Sequence, residues 1–215
     1  MWHPKPPDVT DDRLIWVIDG SRKYAAVWET ATTGCGVAVI RDDGTLVAFA
    51  HATPPPWVRT ASAAEAWALS LVVKSSPFAP RGLAACKAVV DAAWVGTEAA
   101  TAANRPNARI WWHISRCVDD DFGQLRRRIV WLPAHTACDA VGARYKSDGT
   151  KIRVAEWRAN QLADALAKRS DEGLPPNLDL RFHVLEAKLK RSPACNRQRL
   201  LRSRSCADPG STSPS

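Results

Sequence analysis

The sequence contains no paired-cysteine motif. Its six cysteines, Cys35, Cys86, Cys117, Cys138, Cys195 and Cys206, never stand as CxxC and show no metal-ligand spacing, which excludes a structural zinc site built on them. There is also no apolar segment near the start, Met1-Trp2-His3-Pro4-Lys5-Pro6-Pro7, so no secretory signal is expected. The thiols therefore read as reduced, in an intracellular protein, nuclear or cytoplasmic. Long apolar runs are missing too. The Ala-rich stretch from Leu83 to Ala103 is interrupted by Lys87, Asp91 and Glu98, too polar to span a membrane. No internal repeat is visible.

What is present is a globular composition. The chain has 215 residues, 46% of them apolar, enough for one domain with a sizeable core and an appendage. Ten tryptophans are many. Trp16, Trp67, Trp111 and Trp131 lie in apolar periodic segments and are expected in the core; others near basic surface are free to stack on bases. The net charge is +8, of which residues 173–215 carry +5. Such a balance favours polyanionic partners, nucleic acid first.

The pattern along the chain predicts an α/β domain. Residues 1 to about 12 are a Pro-rich lead-in. Leu14 to Asp19 reads as a buried strand, followed by a long polar connection from Ser21 to Thr33. Gly36 to Arg41 and Thr45 to Ala50 flank Asp42-Asp43-Gly44, a hairpin signal. Ala61 to Lys74 has helical spacing with Ser62 as N-cap. A short strand, Gly82 to Ala85, precedes a helix from Lys87 to Val95, and a further helix runs from Pro106 to Val118. Arg128 to Leu132 is a strand stopped by Pro133. The loop beyond it holds a turn at Asp148-Gly149, and a helix follows from Ala155 to Arg169. Residues 13–171 thus form one domain. Residues 172–215 are a basic, Ser/Arg-rich tail expected to be largely disordered, with a short helix near Leu178 to Leu189. Helices covering a mixed sheet define the class.

Several residues in this frame carry chemistry. Asp19, at the end of the first strand and followed by Gly20-Ser21, suits a metal ligand at the mouth of a sheet; Asp-Gly is also an ordinary turn. Glu65 falls in the first turn of its helix, as a ligand or as compensation of the helix dipole. Asp164 sits between Ala163 and Ala165 inside a helix, where Asp is a poor former, as a ligand or a solvent-facing residue. His135 follows a strand and Pro133-Ala134, as a proton carrier or a merely exposed side chain. Carboxylates gathered from several elements repel one another and need a reason. Hard divalent cations supply one, and two such ions about 4 Å apart activate water and stabilise a leaving oxygen in phosphodiester hydrolysis. Arg126-Arg127-Arg128 and the tail arginines are phosphate contacts or solvated charge runs; the tail also suits a localisation signal.

Asp19-Gly20-Ser21, Ala64-Glu65, Leu132-Pro133-Ala134-His135 and Asn160-Gln161-Leu162-Ala163-Asp164, in this order, resemble the type 1 ribonuclease H family over about residues 13 to 171. The resemblance implies a ribonuclease H-like mixed five-stranded sheet with the first strand at its centre. It implies metal binding by Asp19, Glu65 and Asp164, with Mg²⁺ as a two-ion site or Mn²⁺, and proton transfer or product release by His135. The implied substrate is the RNA strand of an RNA–DNA hybrid, cut endonucleolytically by a monomer. Ribonuclease H domains commonly occur beside reverse transcriptases, so a retroelement remnant is a further reading.

One family residue is missing. The family places an Asp at the end of the fourth strand, where Leu83-Ala84-Ala85-Cys86-Lys87 puts Ala85. Asp91 lies six residues on, about 9 Å of helical rise away, too far to substitute; Lys87 brings a positive charge instead. The second ion site is therefore weakened, and a cleavage-impaired nucleic-acid-binding module is the alternative to an enzyme. The span from His135 to Asp164, with Cys138-Asp139 and an extra hairpin, is also longer than in a compact ribonuclease H.

Overall fold

A computed structural model describes residues 2–5, 7, 11, 13–24, 31–76, 79–119 and 122–172. The chain divides into Met1–Leu174 and Pro175–Ser215; the tail and its expected helix lie outside the described residues.

The elements are β1 (Trp2–His3), β2 (Ile15–Lys23), β3 (Thr32–Ile40), β4 (Leu46–Ala52), α1 (Ala61–Ser75), β5 (Arg81–Ala84), α2 (Lys87–Trp94), α3 (Thr97–Thr101), α4 (Ala108–Cys117), α5 (Phe122–Arg128), β6 (Ile129–Trp131) and α6 (Val154–Glu172). The strands form one sheet in the order β1-β4-β3-β2-β5-β6. β2, β3 and β4 run antiparallel, while β5 and β6 run parallel to β2. The expected sheet of five strands has six: Trp2 and His3 pair with Ala50 and Phe49 on the outer side of β4, and the Trp2 ring meets Trp16 edge-on at 5.8 Å.

Alternation in β2 sorts its side chains into two cores. Leu14, Trp16 and Ile18 pack with α1, α2, α4 and α5. Ile15 and Val17 pack with Ala159 and Ala163 of α6. The first strand does not stop at Asp19. Its pairing with β3 continues through Asp19↔Gly36, Gly20↔Cys35 and Ser21↔Gly34 to Lys23, so Asp19 stands in mid-strand and the turn reading fails. Two glycines permit the close layers. A Cβ at Gly20 would strike the Ala61 carbonyl and the Glu65 amide, and one at Gly36 the Ala163 carbonyl.

The hairpin at Asp42-Asp43-Gly44 is present, closed by Arg41 N–H to Thr45 O at 2.9 Å, with Gly44 at φ 90°. The N-cap of α1 is Thr60, not Ser62: its Oγ1 accepts from Ala63 N–H at 3.1 Å. Arg126, Arg127 and Arg128 end α5 and do not open the following strand. The extra hairpin also exists. Tyr145 bridges Lys151, and Ser147 N–H donates to Trp131 O at 3.1 Å while Trp131 N–H donates to Ser147 Oγ at 2.9 Å, which lays the hairpin along β6. Buried Lys146 and Glu156 pair at 2.6 Å, and Glu156 Oε2 accepts from Arg153 N–H at 2.9 Å. One carboxylate thereby fastens the hairpin and caps the start of α6.

Candidate active site

β2, the loop after β6 and α6 enclose a cleft of about 400 Å³ whose lining includes Asp19, His135, Asn160, Asp164 and Lys168. Asp19 reaches it because odd positions of β2 face α6. Asn160, Asp164 and Lys168 reach it together because spacing of four keeps them on one helix face. His135 is exposed and carries φ 53°, a costly conformation for a residue with a side chain. Two bonds hold its loop: Thr136 Oγ1 donates to Pro133 O at 2.7 Å, and Trp157 Nε1 donates to Thr136 O at 2.8 Å.

Asp19 accepts from Gly20 N–H at 2.7 Å. Its pKa is nevertheless raised to about 6, chiefly by burial and then by Asp164, against the opposing pull of the Gly20 amide, Lys168 and His135. Asp164 Oδ2 accepts from Lys168 Nζ at 2.6 Å, a bond that raises the lysine's own pKa. Asn160 is buried, and its Oδ1 has no hydrogen-bond partner among the described residues.

Glu65 is placed differently. It is 2% exposed and does not line the cleft. Its carboxylate accepts from Cys86 N–H at 2.8 Å, satisfying an amide at the start of α2 that has no helical partner. Burial first, and Asp19 second, push its pKa well above the ordinary value, while the Cys86 and Ala85 amides oppose the shift. β5 pairs Ala84 with Ile18, so Ala85 follows at the level of Asp19. Ala85 is buried and its carbonyl accepts from Trp131 Nε1 at 3.0 Å. Lys87 is turned away onto Asp91 at 2.8 Å. Arg126 and Arg127 are exposed and Arg128 is partly buried; none lines the cleft.

The cleft therefore unites Asp19, Asp164 and His135, with Glu65 behind Asp19. Among the described residues, no three His, Cys, Asp or Glu side chains converge closely enough to hold an ion. The donor chemistry still fits a hard cation. Asp19, Asp164 and the unpartnered Asn160 Oδ1 are all oxygen ligands. Lys168 went unmarked in the sequence as a cleft residue. The Asn160-Asp164-Lys168 spacing was the signal that could have found it.

No family model matches the chain, and no curated protein matches it. Solved structures do. The foamy viral protease-reverse transcriptase in complex with RNA/DNA hybrid is similar at TM-score 0.51 and 16% identity, over 80% of this chain and 21% of that one. The chain thus spans about a fifth of that protein's length. The same viral protein in complex with dsDNA is similar at TM-score 0.50 and 16% identity, over 77% of this chain and 98% of that one. Prototype foamy virus protease-reverse transcriptase in a mutant form is similar at TM-score 0.52 and 16% identity, over 80% and 22% of the two chains. At this identity the likeness concerns the fold. The fold is ribonuclease H-like: a mixed sheet with β2 central, α1 to α5 on one face and α6 on the other.

Proposed function

We propose that this domain binds RNA–DNA hybrid and hydrolyses its RNA strand at the Asp19–Asp164 cleft. The observation that carries the reading is the pairing of these two carboxylates, one raised to about 6 by burial and charge repulsion, beside His135 in a ribonuclease H-like fold. The foamy viral protein's complexes with RNA/DNA hybrid and dsDNA support a nucleic-acid partner. Asp19 and Asp164 would hold Mg²⁺ or Mn²⁺, with Glu65 the third ligand if it leaves Cys86 N–H. A bound divalent ion supplies Lewis-acid activation of water and of the phosphate. His135, held at the rim by Thr136 and Trp157, is placed to carry a proton to or from the departing group. Lys168 neutralises Asp164 until a cation replaces it. Arg126, Arg127 and Arg128 would contact phosphates outside the cleft.

Ala85 favours a second reading, a binding module with impaired cleavage. A methyl group at the level of Asp19 supplies no ligand, and Glu65 is engaged in capping α2. The experiment is single-turnover cleavage of a labelled hybrid with Mg²⁺ or Mn²⁺. Cleavage that is weak, abolished by Asp19→Asn and raised at least about tenfold by Ala85→Asp, about 1.4 kcal/mol of barrier, is the expected result. Hybrid binding with no cleavage in either metal, unrescued by Ala85→Asp, establishes the binding module. Strong cleavage indifferent to Asp19→Asn removes this cleft from the reaction.

A further inference from the structure

Six side chains on the loop before α1, on α1 and on α4 touch in series. The Arg109 guanidinium lies over the Trp57 ring, 4.3 Å from its centroid. Trp57 meets Trp67 edge-on at 5.6 Å, Trp67 meets His113 at 6.2 Å, and His113 meets Trp112 at 5.3 Å. The Arg116 guanidinium closes the row, 5.0 Å from the Trp112 centroid. None of the six lines the cleft. They belong to the layer on the opposite face of the sheet from α6.

The two ends of this row are open to solvent. Trp57 is 37% exposed and Trp112 is 49% exposed, and both arginines are exposed. Indoles are on average largely buried, whereas these two leave a substantial part of each ring in solvent. Ion pairing does not account for the arginines. Neither Arg109 nor Arg116 has a carboxylate partner among the described residues. The charge within the segments that carry this row is positive, with Asp119-Asp120-Asp121 beginning just beyond α4. Residues 105–118 contain no Asp or Glu, and residues 57–76 contain only Glu65, which is buried. Arg59, Lys74, Arg105, Arg109 and Arg116 occupy the same segments.

A guanidinium set over an indole ring, here at 4.3 Å and 5.0 Å, keeps N–H donors and a planar face available to a ligand. The donors match a phosphate oxygen pair, and the plane and the adjoining ring match a base. A duplex hides its base faces in its own stack, whereas a single strand presents them. A protein partner would have to bring carboxylates to both exposed arginines, Arg109 and Arg116. We propose that the Trp57–Arg109 and Trp112–Arg116 pairs form a nucleic-acid-binding surface separate from the cleft, which takes single-stranded nucleic acid by stacking its bases and pairing its phosphates. The proposal does not depend on cleavage by the cleft.

The test uses the full chain in EDTA, with labelled (dT)12 and an abasic strand of the same length, followed by fluorescence anisotropy. Any phosphate contact, by the tail arginines or elsewhere, is common to both strands, so the ratio of the two affinities isolates stacking. (dT)12 should bind at least about tenfold tighter than the abasic strand. Trp57→Ala/Trp112→Ala should bring the ratio to near one. Arg109→Gln/Arg116→Gln should weaken (dT)12 binding and flatten its salt dependence by about 1.4 in log–log slope. Circular dichroism melting checks the fold of each variant, and the exposed arginine pair decides the matter should the tryptophan pair fail to fold. Equal affinity of the natural chain for the two strands overturns the proposal. So does a (dT)12 affinity and salt slope unchanged in the arginine variant.

Discussion

The face of the sheet under α6 meets its helix along a seam of glycine and alanine, whereas the face under α1 to α5, equally close where Gly20 meets α1, is filled beyond that point by some of the largest side chains in the chain. Gly36 of β3 lies against the backbone at Ala163, and Ala159 and Ala163 fill the seam. On the other face Trp16, Leu69, Ile110, Trp111 and Phe122 interlock, with Trp111 and Phe122 edge to face at 5.6 Å. The difference decides where polar groups can gather. A helix drawn tight onto the sheet brings Asn160, Asp164 and Lys168 beside Asp19 with no bulky neighbour between them. The other layer meets the sheet closely at Gly20 and is filled out beyond it by aromatic rings, and its outermost indoles reach the surface as the Trp57–Trp112 row.

The comparison breaks most readily by removal on one face and addition on the other. Trp111→Ala should cost about 3–5 kcal/mol, because a fully buried ring leaves a cavity that the helices cannot close. Gly36→Ala adds a single methyl yet should cost about 3 kcal/mol, because it meets main-chain atoms that cannot rotate away. Urea denaturation measures both. A cost under about 1 kcal/mol for Gly36→Ala would mean that α6 can stand off from the sheet, and the tight seam would not be what assembles the cleft.

The cleft side is sharpened by pH. Asp19 has a folded pKa of about 6 against its ordinary 3.8, so between these values the folded chain holds more protons than the unfolded one. Stability from this group is therefore full below about pH 4, falls as pH rises to 6 and stays low above it. Asp19→Asn removes the loss. In EDTA it should stabilise the protein on the order of 1–3 kcal/mol at pH 7.5 and by nothing near pH 4. Thermal melts at the two pH values check this, and equal gains at both would place the burden on something other than the carboxylate. The smallest effect lies on the aromatic side. Thr60→Ala removes the cap of α1 and should cost about 1 kcal/mol, whereas Ser62→Ala, whose hydroxyl is not the cap, should cost less than half of that. Reversal of this order in paired denaturation curves would restore Ser62 as the cap.

Much of this arrangement is legible in the amino-acid sequence. The unbroken apolar run from Leu14 to Ile18 shows the strand that leads to Asp19, and Asp42-Asp43-Gly44 shows its neighbouring hairpin. The period of α6 placed Asp164 on an apolar-flanked helix face. Short elements were not legible: two residues of β1, five of α3 and seven of α5 carry too little period to read. Asp19-Gly20-Ser21 looks like a turn locally, and only pairing with Gly36, Cys35 and Gly34 keeps it extended. Spacing also put Glu65 near the right level without showing where its carboxylate turns. That depends on which amide at the start of α2 is left without a helical acceptor, which is a tertiary matter.

Both sides of the sheet end in a short segment. Trp2 and His3 lie along β4, and the hairpin holding Tyr145 and Lys151 lies along β6. Bare strand borders are templates on which other chains add. These few residues act as stoppers against fibre-like growth, so an affinity tag fused directly before Trp2 disturbs one stopper and should make the protein more prone to precipitate at high concentration than a tag carried on the C-terminal side.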